Sequence, residues 1–211
     1  MRIVPAILTS SPEEFLTFLK KAEEFSPHNQ IDITDGEFVP SLSITVPQLE
    51  NLNYRVKSFV EAHLMVEEPL NWLKPFYEFG AERIIFHFEI RKDKEEIIRE
   101  IRKLGLEAGL AINPSTQVKE FSHLVDKVDT ILFMSVEPGF YGSKFIPDTL
   151  DKIREFKKFW PDKPIGIDGG INLSNLKEVV PLGIDFICVG SAIFKSKDPK
   201  KSYQELSSFQ A

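Results

Sequence analysis

The sequence lacks several features that would mark a secreted, membrane-bound or nucleic-acid-binding protein. A chain with 1 cysteine cannot form an internal disulfide. No apolar run approaches the roughly twenty residues that a membrane-spanning helix needs, and the N-terminus has no signal-like segment. The net charge is -6, with acidic and basic residues mixed along the polar segments, which excludes a basic tract for nucleic acid. We therefore expect a cytoplasmic protein with neither a nucleic-acid nor a membrane partner.

The chain also lacks an internal boundary. It has no Ser/Gly-rich linker and no low-complexity run, and its composition does not change along its length. Its 211 residues, 42% hydrophobic and 27% charged, suffice for one sizeable core of a soluble globular protein but hardly for two. We therefore predict a single domain over residues 1–211.

Short apolar segments alternate with amphipathic segments along the whole chain. We predict strands over residues 2–8, 30–34, 59–65, 83–87, 107–112, 130–135, 165–168 and 187–189. Helices are predicted between them, the first of which begins with a capping box from Ser11 to Glu14; others cover 93–104, 147–159 and 172–180, and a last one follows Asp198. This alternation predicts an α/β fold with a parallel sheet, and eight units close it into a (β/α)8 TIM barrel. The alternative, a doubly wound sheet, usually has a glycine-rich turn after the first strand, where this chain has Thr9-Ser10-Ser11.

Two apolar runs near the C-terminal end, residues 165–170 and 187–191, stop abruptly at small residues. Glycine lets a phosphate approach the backbone closely, and TIM barrels often hold phosphate in the loops after strands seven and eight. Asp168 adds a carboxylate at the end of the first run. The pair of runs predicts a phosphate site beside an acidic residue, although either run alone is equally typical of an ordinary strand-to-helix turn.

Polar side chains collect at the C-terminal ends of the predicted strands. Gln30, Asp32 and Thr34 share one face of the second strand because side chains alternate along a strand, and His63 lies on the next strand. Asp168, on the seventh strand, is three strands from Asp32 around a closed ring of eight, so the two carboxylates are expected to face each other across the mouth. Two carboxylates, an imidazole and an amide together predict a site for a divalent metal. A lone histidine at such a position is more often a core residue; two neighbouring aspartates favour ligation.

Two opposed carboxylates beside a phosphate site indicate a particular chemistry. One can remove a proton from one face of a substrate carbon, and the other can return a proton to the opposite face. A proton alpha to a carbonyl is too weakly acidic for a free carboxylate, so the enediolate that forms must be stabilised, which a metal can do. These residues therefore predict proton transfer on a phosphorylated keto sugar.

Five sequence blocks carry a resemblance to the ribulose-phosphate 3-epimerase family, which runs from the first predicted strand to the loop after the eighth, nearly the whole chain. The blocks are residues 31–40 (IDITDGEFVP), 62–66 (AHLMV), 134–140 (MSVEPGF), 168–172 (DGGIN) and 190–194 (GSAIF). The resemblance implies a (β/α)8 barrel of the ribulose-phosphate-binding type and a divalent metal held by two histidines and two aspartates. It also implies an isomerase of pentose phosphate metabolism that interconverts D-ribulose 5-phosphate and D-xylulose 5-phosphate through an enediolate.

The resemblance assigns roles to individual positions. Asp32 and Asp168 would be the paired acid/base residues and also metal ligands, and His63 would be a further ligand. Met65 and Met134 would lie over the metal. The residues that would surround the phosphate are Gly139, Gly142, Gly169, Gly170, Gly190 and Ser191.

The chain departs from the family pattern within this site. Gln30 replaces the first metal histidine; its oxygen can ligate, but it suits harder cations better than Zn²⁺, so the metal could be Zn, Mn, Fe or Co. Ala6 replaces a serine that touches the substrate, and Thr34 replaces a methionine, which makes the roof of the site more polar. On the phosphate side, Ser143 replaces a glutamine and Tyr141 replaces a glycine, which narrows that loop.

These departures leave three functions open. The first is an epimerase acting on ribulose 5-phosphate, the second an epimerase acting on a six-carbon ketose phosphate, and the third a non-catalytic sugar-phosphate-binding paralogue. His87 and Glu89, at the end of the fourth strand, are expected to touch the substrate, to cap a helix or to pair locally. Barrels of this family generally associate, so a homo-oligomer is also open, with Trp72 and Trp160 as surface residues that could serve its interface.

Overall fold

Eight parallel strands close into a barrel in the computed structural model, which describes residues 1–139 and 142–209. Each strand pairs with the next one in the sequence, and the first pairs with the last. The strands are β1 (Arg2–Ile7), β2 (His28–Thr34), β3 (Phe59–Met65), β4 (Arg83–His87), β5 (Glu107–Ile112), β6 (Thr130–Met134), β7 (Ile165–Asp168) and β8 (Phe186–Val189). The predicted (β/α)8 barrel is confirmed.

Helices connect the strands and pack against their outward-facing side chains. The α-helices are α1 (Pro12–Ala22), α2 (Val46–Glu50), α3 (Leu70–Phe79), α4 (Lys94–Lys103), α5 (Val118–Phe121), α6 (Asp148–Phe159), α7 (Leu176–Val179), α8 (Ser191–Phe194) and α9 (Pro199–Ser207). In α4, for example, Ile97, Ile98 and Ile101 are buried at helical spacing while the charged residues between them face water. Within the described ranges, no helix combines the length and the apolar character needed to cross a bilayer.

The core has two parts, as a closed barrel requires. The larger cluster lies between the strands and the surrounding helices. The smaller cluster fills the barrel interior with inward-facing side chains, among them Val4, Ile85 and Leu132. This interior is a packed core, so an opening for a ligand exists only at its mouth.

A buried group of charged side chains fills the end of the barrel where the strands begin. Arg2 Nη1 lies 3.0 Å from His28 Nδ1, which must accept because arginine only donates. His28 Nε2 then faces Glu61 Oε2 at 3.1 Å, and the same oxygen lies 2.9 Å from Arg83 Nη1. Burial alone would raise the pKa of Glu61, but contact with His28 and the charge of Arg83 outweigh it and hold that pKa below its usual value.

Several boundaries differ from the sequence-based predictions. β2 begins at His28, two residues early, because His28 and Asn29 pair with Phe59 and Val60 of β3. The helix predicted over 172–180 is reduced to α7 and a 3-10 turn over 180–182. The side chains of Asn172 and Asn175 make local turn bonds before α7 begins: Asn172 N–H donates to Asn175 Oδ1 at 2.9 Å, and Asn172 Oδ1 accepts from Ser174 N at 2.9 Å.

The predicted capping box and the predicted surface tryptophans need correction. Ser11 does cap α1, accepting from Glu14 N at 3.3 Å, but the Glu14 carboxylate accepts from the Thr9 hydroxyl rather than completing the box. Trp72 is buried on α3, so the expectation that it is exposed is wrong, because it packs within the same cluster as Phe76. Trp160 is half-buried against the ring of Phe156.

Candidate active site at the carboxyl end of the barrel

Three ionisable side chains converge at the mouth of the barrel. Asp32 of β2 is in direct register with His63 of β3, and Asp168 is the last residue of β7. His63 Nδ1 lies 3.0 Å from Asp32 Oδ1 and 3.5 Å from Asp168 Oδ2. One potential ligand atom from each residue lies within 4.8 Å of the other two. The convergence expected from strand ends and side-chain alternation is therefore present.

Gln30 lies beneath these three residues and bridges the two carboxylates. Its Nε2 donates to Asp32 Oδ1 at 2.8 Å and to Asp168 Oδ2 at 2.7 Å. Its Oε1 accepts from the thiol of Cys188 at 3.0 Å. Ionised carboxylates only accept hydrogen bonds, so the amide nitrogen must face them. Ligation of a metal by Gln30, which the sequence analysis predicts, would require this amide to turn over.

The electrostatics of the cluster favour a positive charge among the carboxylates. Burial, reinforced by the charge of Asp168, raises the pKa of Asp32 to about 6 against the opposing hydrogen bond with His63. Burial would lower the pKa of His63, but its contacts with Asp168 and Asp32 raise it to about 9. A proton on His63 supplies this positive charge, and a divalent cation held by the same three side chains would supply it equally. The donor set therefore fits a divalent metal, with two oxygens and one nitrogen as ligands.

A buried hydrogen-bonded chain extends from His63 away from the mouth. His63 Nε2 lies 2.9 Å from His87 Nε2, and His87 Nδ1 lies 3.3 Å from Glu89 Oε2. Glu89 Oε1 accepts from Asn113 N at 2.8 Å and from the Thr116 hydroxyl at 2.6 Å. The local pairing expected for His87 and Glu89 is therefore present.

A pocket that is partly open to solvent lies above these residues. Met65 and Met134 line it together with Asp32, His63 and Asp168, and Ala6 lines the side nearest β1. Of the residues predicted to surround the phosphate, all but Gly169 line this pocket: Gly139, Gly142, Gly170, Gly190 and Ser191. Ser143 lines the same side. Thr34, expected to make the roof more polar, is buried at the carboxyl end of β2 in register with Met65, and it is not among the residues that line the pocket. Its hydroxyl has no hydrogen-bond partner among the described residues.

Gly169 and Gly170 shape the loop after β7 in different ways. Gly169 has φ +116, and a Cβ added there would come within 2.5 Å of Val136 Cγ2, so this glycine is needed for packing against the loop after β6. Gly170 has φ +66, and an added Cβ would come within 2.9 Å of the backbone nitrogen of Phe145. Both therefore hold the loops after β6 and β7 together beside the pocket. Phe140 of the third family block and Tyr141, expected to narrow this side, lie outside the described residues.

The sequence analysis does not predict the contact between Cys188 and Gln30. Cys188 is fully buried. The available signal is side-chain alternation on β8, which puts Cys188 on the same inward face as Phe186. Burial raises the pKa of the thiol well above its usual value, so the thiol stays protonated and donates.

Comparison with known proteins gives consistent matches over most of the chain. Residues 2–194 match the model of the Ribulose-phosphate 3 epimerase family. The cytoplasmic isoform of ribulose-phosphate 3-epimerase from Oryza sativa subsp. japonica is 34% identical over 206 residues, covering 94% of this chain and 89% of the relative. Ribulose-phosphate 3-epimerase from Escherichia coli strain K12 is 38% identical over 183 residues, covering 84% of this chain and 81% of the relative.

Solved structures of more distant proteins share the fold. The 3-hexulose-6-phosphate synthase from Salmonella typhimurium superposes with a TM-score of 0.69 at 18% identity, covering 98% of this chain and 97% of that one. The tryptophan synthase A-subunit from Pyrococcus furiosus superposes with a TM-score of 0.74 at 14% identity, covering 97% of each chain. At these identities the likeness is one of barrel architecture alone.

Proposed function

Since the chain belongs to the ribulose-phosphate 3-epimerase family, whose members are isomerases, we propose that it is a metal-dependent epimerase that interconverts D-ribulose 5-phosphate and D-xylulose 5-phosphate. The opposed carboxylates of Asp32 and Asp168 support this proposal most directly. Both lie within hydrogen-bond distance of the single nitrogen Nε2 of Gln30, at 2.8 and 2.7 Å, although they come from strands on different sides of the barrel. A substrate carbon above that nitrogen would have one carboxylate on each face.

The pocket offers separate places for the two ends of such a substrate. Its phosphate would lie against the backbone of Gly170, Gly190 and Ser191, where the lack of side chains on the glycines allows close approach. Its keto and hydroxyl carbons would then reach the aspartates and His63 at the centre of the mouth. Met65 and Met134 line the same space and would exclude water from the reacting carbon.

Asp32 and Asp168 would perform the proton transfers. One carboxylate takes the proton from C3 of the ketose and the other, in its protonated form, returns a proton to the opposite face. The reverse reaction exchanges the two roles. Gln30 keeps one oxygen of each carboxylate in place throughout, since its nitrogen donates to both.

A divalent cation fits among Asp32, His63 and Asp168, and these three side chains would hold it. When bound, it supplies positive charge that stabilises the enediolate formed between the two proton transfers. The mixed oxygen and nitrogen donor set is compatible with Zn, Mn, Fe or Co. The rice relative is named a cytoplasmic isoform, and we propose the same compartment for this chain.

Proton NMR of D-ribulose 5-phosphate in D₂O, with the purified protein supplemented with Mn²⁺, Zn²⁺, Fe²⁺ or Co²⁺, tests this function. The expected result is formation of D-xylulose 5-phosphate with deuterium at C3, strongly reduced in Asp168→Asn and unchanged in Asp148→Asn, an exposed aspartate on α6. Exchange only on a six-carbon ketose phosphate would assign the alternative substrate. No exchange on either class of substrate would contradict an epimerase and favour a sugar-phosphate-binding paralogue.

A further inference from the structure

The buried series of hydrogen bonds from His63 through His87 to Glu89 points to a role for the last two residues. This inference rests on the metal centre proposed above. We propose that Glu89, acting through His87, fixes the ring tautomer of His63 and thereby presents His63 Nδ1 as the lone pair that binds the metal. Neither Glu89 nor His87 would touch the metal or the substrate. Both are positioning residues, and the evidence is the order of donors and acceptors along these hydrogen bonds.

The outer end of the chain is fixed by a backbone group. The N–H of Asn113 donates to Glu89 Oε1 at 2.8 Å, and the Thr116 hydroxyl donates to the same oxygen at 2.6 Å. A backbone N–H cannot become an acceptor, so Oε1 must accept. The other oxygen, Oε2, lies 3.3 Å from His87 Nδ1. Burial alone would raise the pKa of Glu89, but its contacts with His87, Thr116 and Asn113 outweigh burial and hold that pKa below its usual value. The side chain is therefore a carboxylate, which accepts only, and His87 Nδ1 must carry a proton.

The middle of the chain passes this constraint on to His63. His87 is fully buried and its ring centroid lies 4.8 Å from that of Phe38, an environment that favours the neutral imidazole. A neutral imidazole with a proton on Nδ1 has a bare Nε2. That nitrogen lies 2.9 Å from Nε2 of His63, and such a contact holds one proton. The proton therefore belongs to His63 Nε2.

The inner end of the chain is the nitrogen that faces the carboxylates. With Nε2 of His63 protonated, Nδ1 is the nitrogen available as a ligand, and it lies 3.0 Å from Asp32 Oδ1 and 3.5 Å from Asp168 Oδ2. A metal-bound histidine commonly donates its other N–H to an acceptor that fixes its orientation. Here that acceptor is a second histidine, and Glu89 fixes the second histidine in turn.

A single substitution, Glu89→Gln, is expected to reverse the donor and acceptor roles along this series of hydrogen bonds. In Glu89→Gln the single amide oxygen must stay with the Asn113 N–H and the Thr116 hydroxyl, so the amide nitrogen faces His87 Nδ1. His87 then accepts at Nδ1 and carries its proton on Nε2, so His63 Nε2 must accept instead of donate. His63 would be left with its proton on Nδ1, the position that the metal needs. Thr116→Val is the matched control, because it removes one donor to Glu89 and leaves the carboxylate on His87.

The experiment combines ring-¹⁵N NMR with metal titration. The protein has 4 histidines, so spectra of protein labelled with ¹⁵N on the histidine rings contain few signals. The ¹⁵N chemical shifts distinguish protonated from unprotonated ring nitrogens. In the wild-type protein and in Thr116→Val we expect His87 to carry its proton on Nδ1 and Zn²⁺-loaded His63 to carry its proton on Nε2. In Glu89→Gln we expect His87 to carry its proton on Nε2, with Zn²⁺ and Mn²⁺ affinity lowered about 10- to 100-fold.

The outcomes separate this inference from the metal centre on which it rests. Wild-type protein that binds Zn²⁺ with the His87 proton on Nε2 would overturn the inference and leave the metal centre intact. The same follows if Glu89→Gln folds and binds metal with the wild-type proton pattern. A wild-type protein that binds none of the four proposed metals would overturn the metal centre and the inference together. If Glu89→Gln does not fold, the wild-type proton pattern alone still decides.

Discussion

Cys188 and Gln30 form the contact that sets the direction of the amide at the floor of the site. The thiol donates to Gln30 Oε1 at 3.0 Å, and the amide nitrogen is thereby directed to both site carboxylates. The two residues are 158 positions apart in the sequence and meet because the barrel closes. A residue of the last strand therefore supports the orientation in which Gln30 donates to the two proposed acid/base carboxylates.

Replacing Cys188 tests this control. In Cys188→Ala the buried Gln30 Oε1 loses its donor, so we expect a loss of roughly 1–3 kcal/mol in the free energy of unfolding. Cys188→Ser keeps a donor at the same position and should retain most of that stability. Urea denaturation of the two variants and the wild type measures the difference. Equal stability of the alanine and serine variants would show that the hydrogen bond contributes nothing.

The buried Glu61 predicts a dependence of stability on pH. Its pKa in the folded protein is held below its usual value, because contact with His28 and the charge of Arg83 outweigh the effect of burial. The resulting stabilisation is complete above the unfolded-state pKa, near 4.5, and is lost as the pH falls through the lower folded-state pKa. Glu61→Gln removes this contribution and should cost on the order of 3 kcal/mol at pH 7.

The pH series provides the check on Glu61. Chemical denaturation from pH 7 down to pH 3 should show the difference between wild type and Glu61→Gln shrinking only below about 4.5. Glu107→Gln is the matched control, because Glu107 pairs with the other side of Arg83 but is about half exposed. We expect it to cost less than about 1 kcal/mol. A constant difference across the series would contradict the lowered pKa.

Replacement of Gly170, the second glycine after β7, is expected to weaken substrate binding. Gly170→Ala combines a positive φ with a Cβ only 2.9 Å from the backbone of Phe145, so the loop after β6 must move away from the pocket. We expect a higher KM and a loss of roughly 1–2 kcal/mol in stability. Gly105→Ala has a similar φ of +77 but no atom within 4 Å of the added carbon, and it should lower stability without changing KM. Steady-state kinetics of both variants measure KM, and urea denaturation measures their stability.

Metal binding predicts a gain in stability that needs no activity assay. A ligand that binds only the folded protein stabilises it by about 2.7 kcal/mol at 100 times its Kd. The thermal midpoint of the wild-type protein should therefore rise with added Mn²⁺ or Zn²⁺ and return after chelation. Asp168→Asn, which lacks one of the three proposed ligands, should show a smaller rise at the same concentrations. A metal-independent midpoint in the wild type would contradict the proposed centre.

Much of the fold could be predicted because the information is local. Each strand is a short apolar run with a turn signal, and the alternation with helices leaves few topologies. The convergence of Asp32, His63 and Asp168 follows from two simple facts, that side chains alternate along a strand and that parallel strands end together. Met65 and Met134 were placed at the mouth on family resemblance, and they do line the pocket.

Other features could not be predicted, because they depend on contacts between distant parts of the chain. The orientation of Gln30 depends on Cys188 across the closed barrel. The burial of Trp72 depends on which face of α3 packs against the strands. The sequence of α3 is largely apolar, so its pattern does not determine that face. The shortening of α7 depends on Asn172, whose side chain competes with the helix for backbone donors.

The proposed reaction centre and the proposed phosphate contacts are built on different kinds of backbone. Asp32, His63 and Asp168 lie within strands, and the first two are opposite each other in the strand register. Gly139, Gly142 and Ser143 lie in the loop after β6. Loops tolerate insertion and replacement far better than barrel strands do. Exchange of that loop could therefore admit a longer or differently charged sugar while leaving the proposed proton-transfer residues in place, which makes this barrel a scaffold for the design of new epimerases.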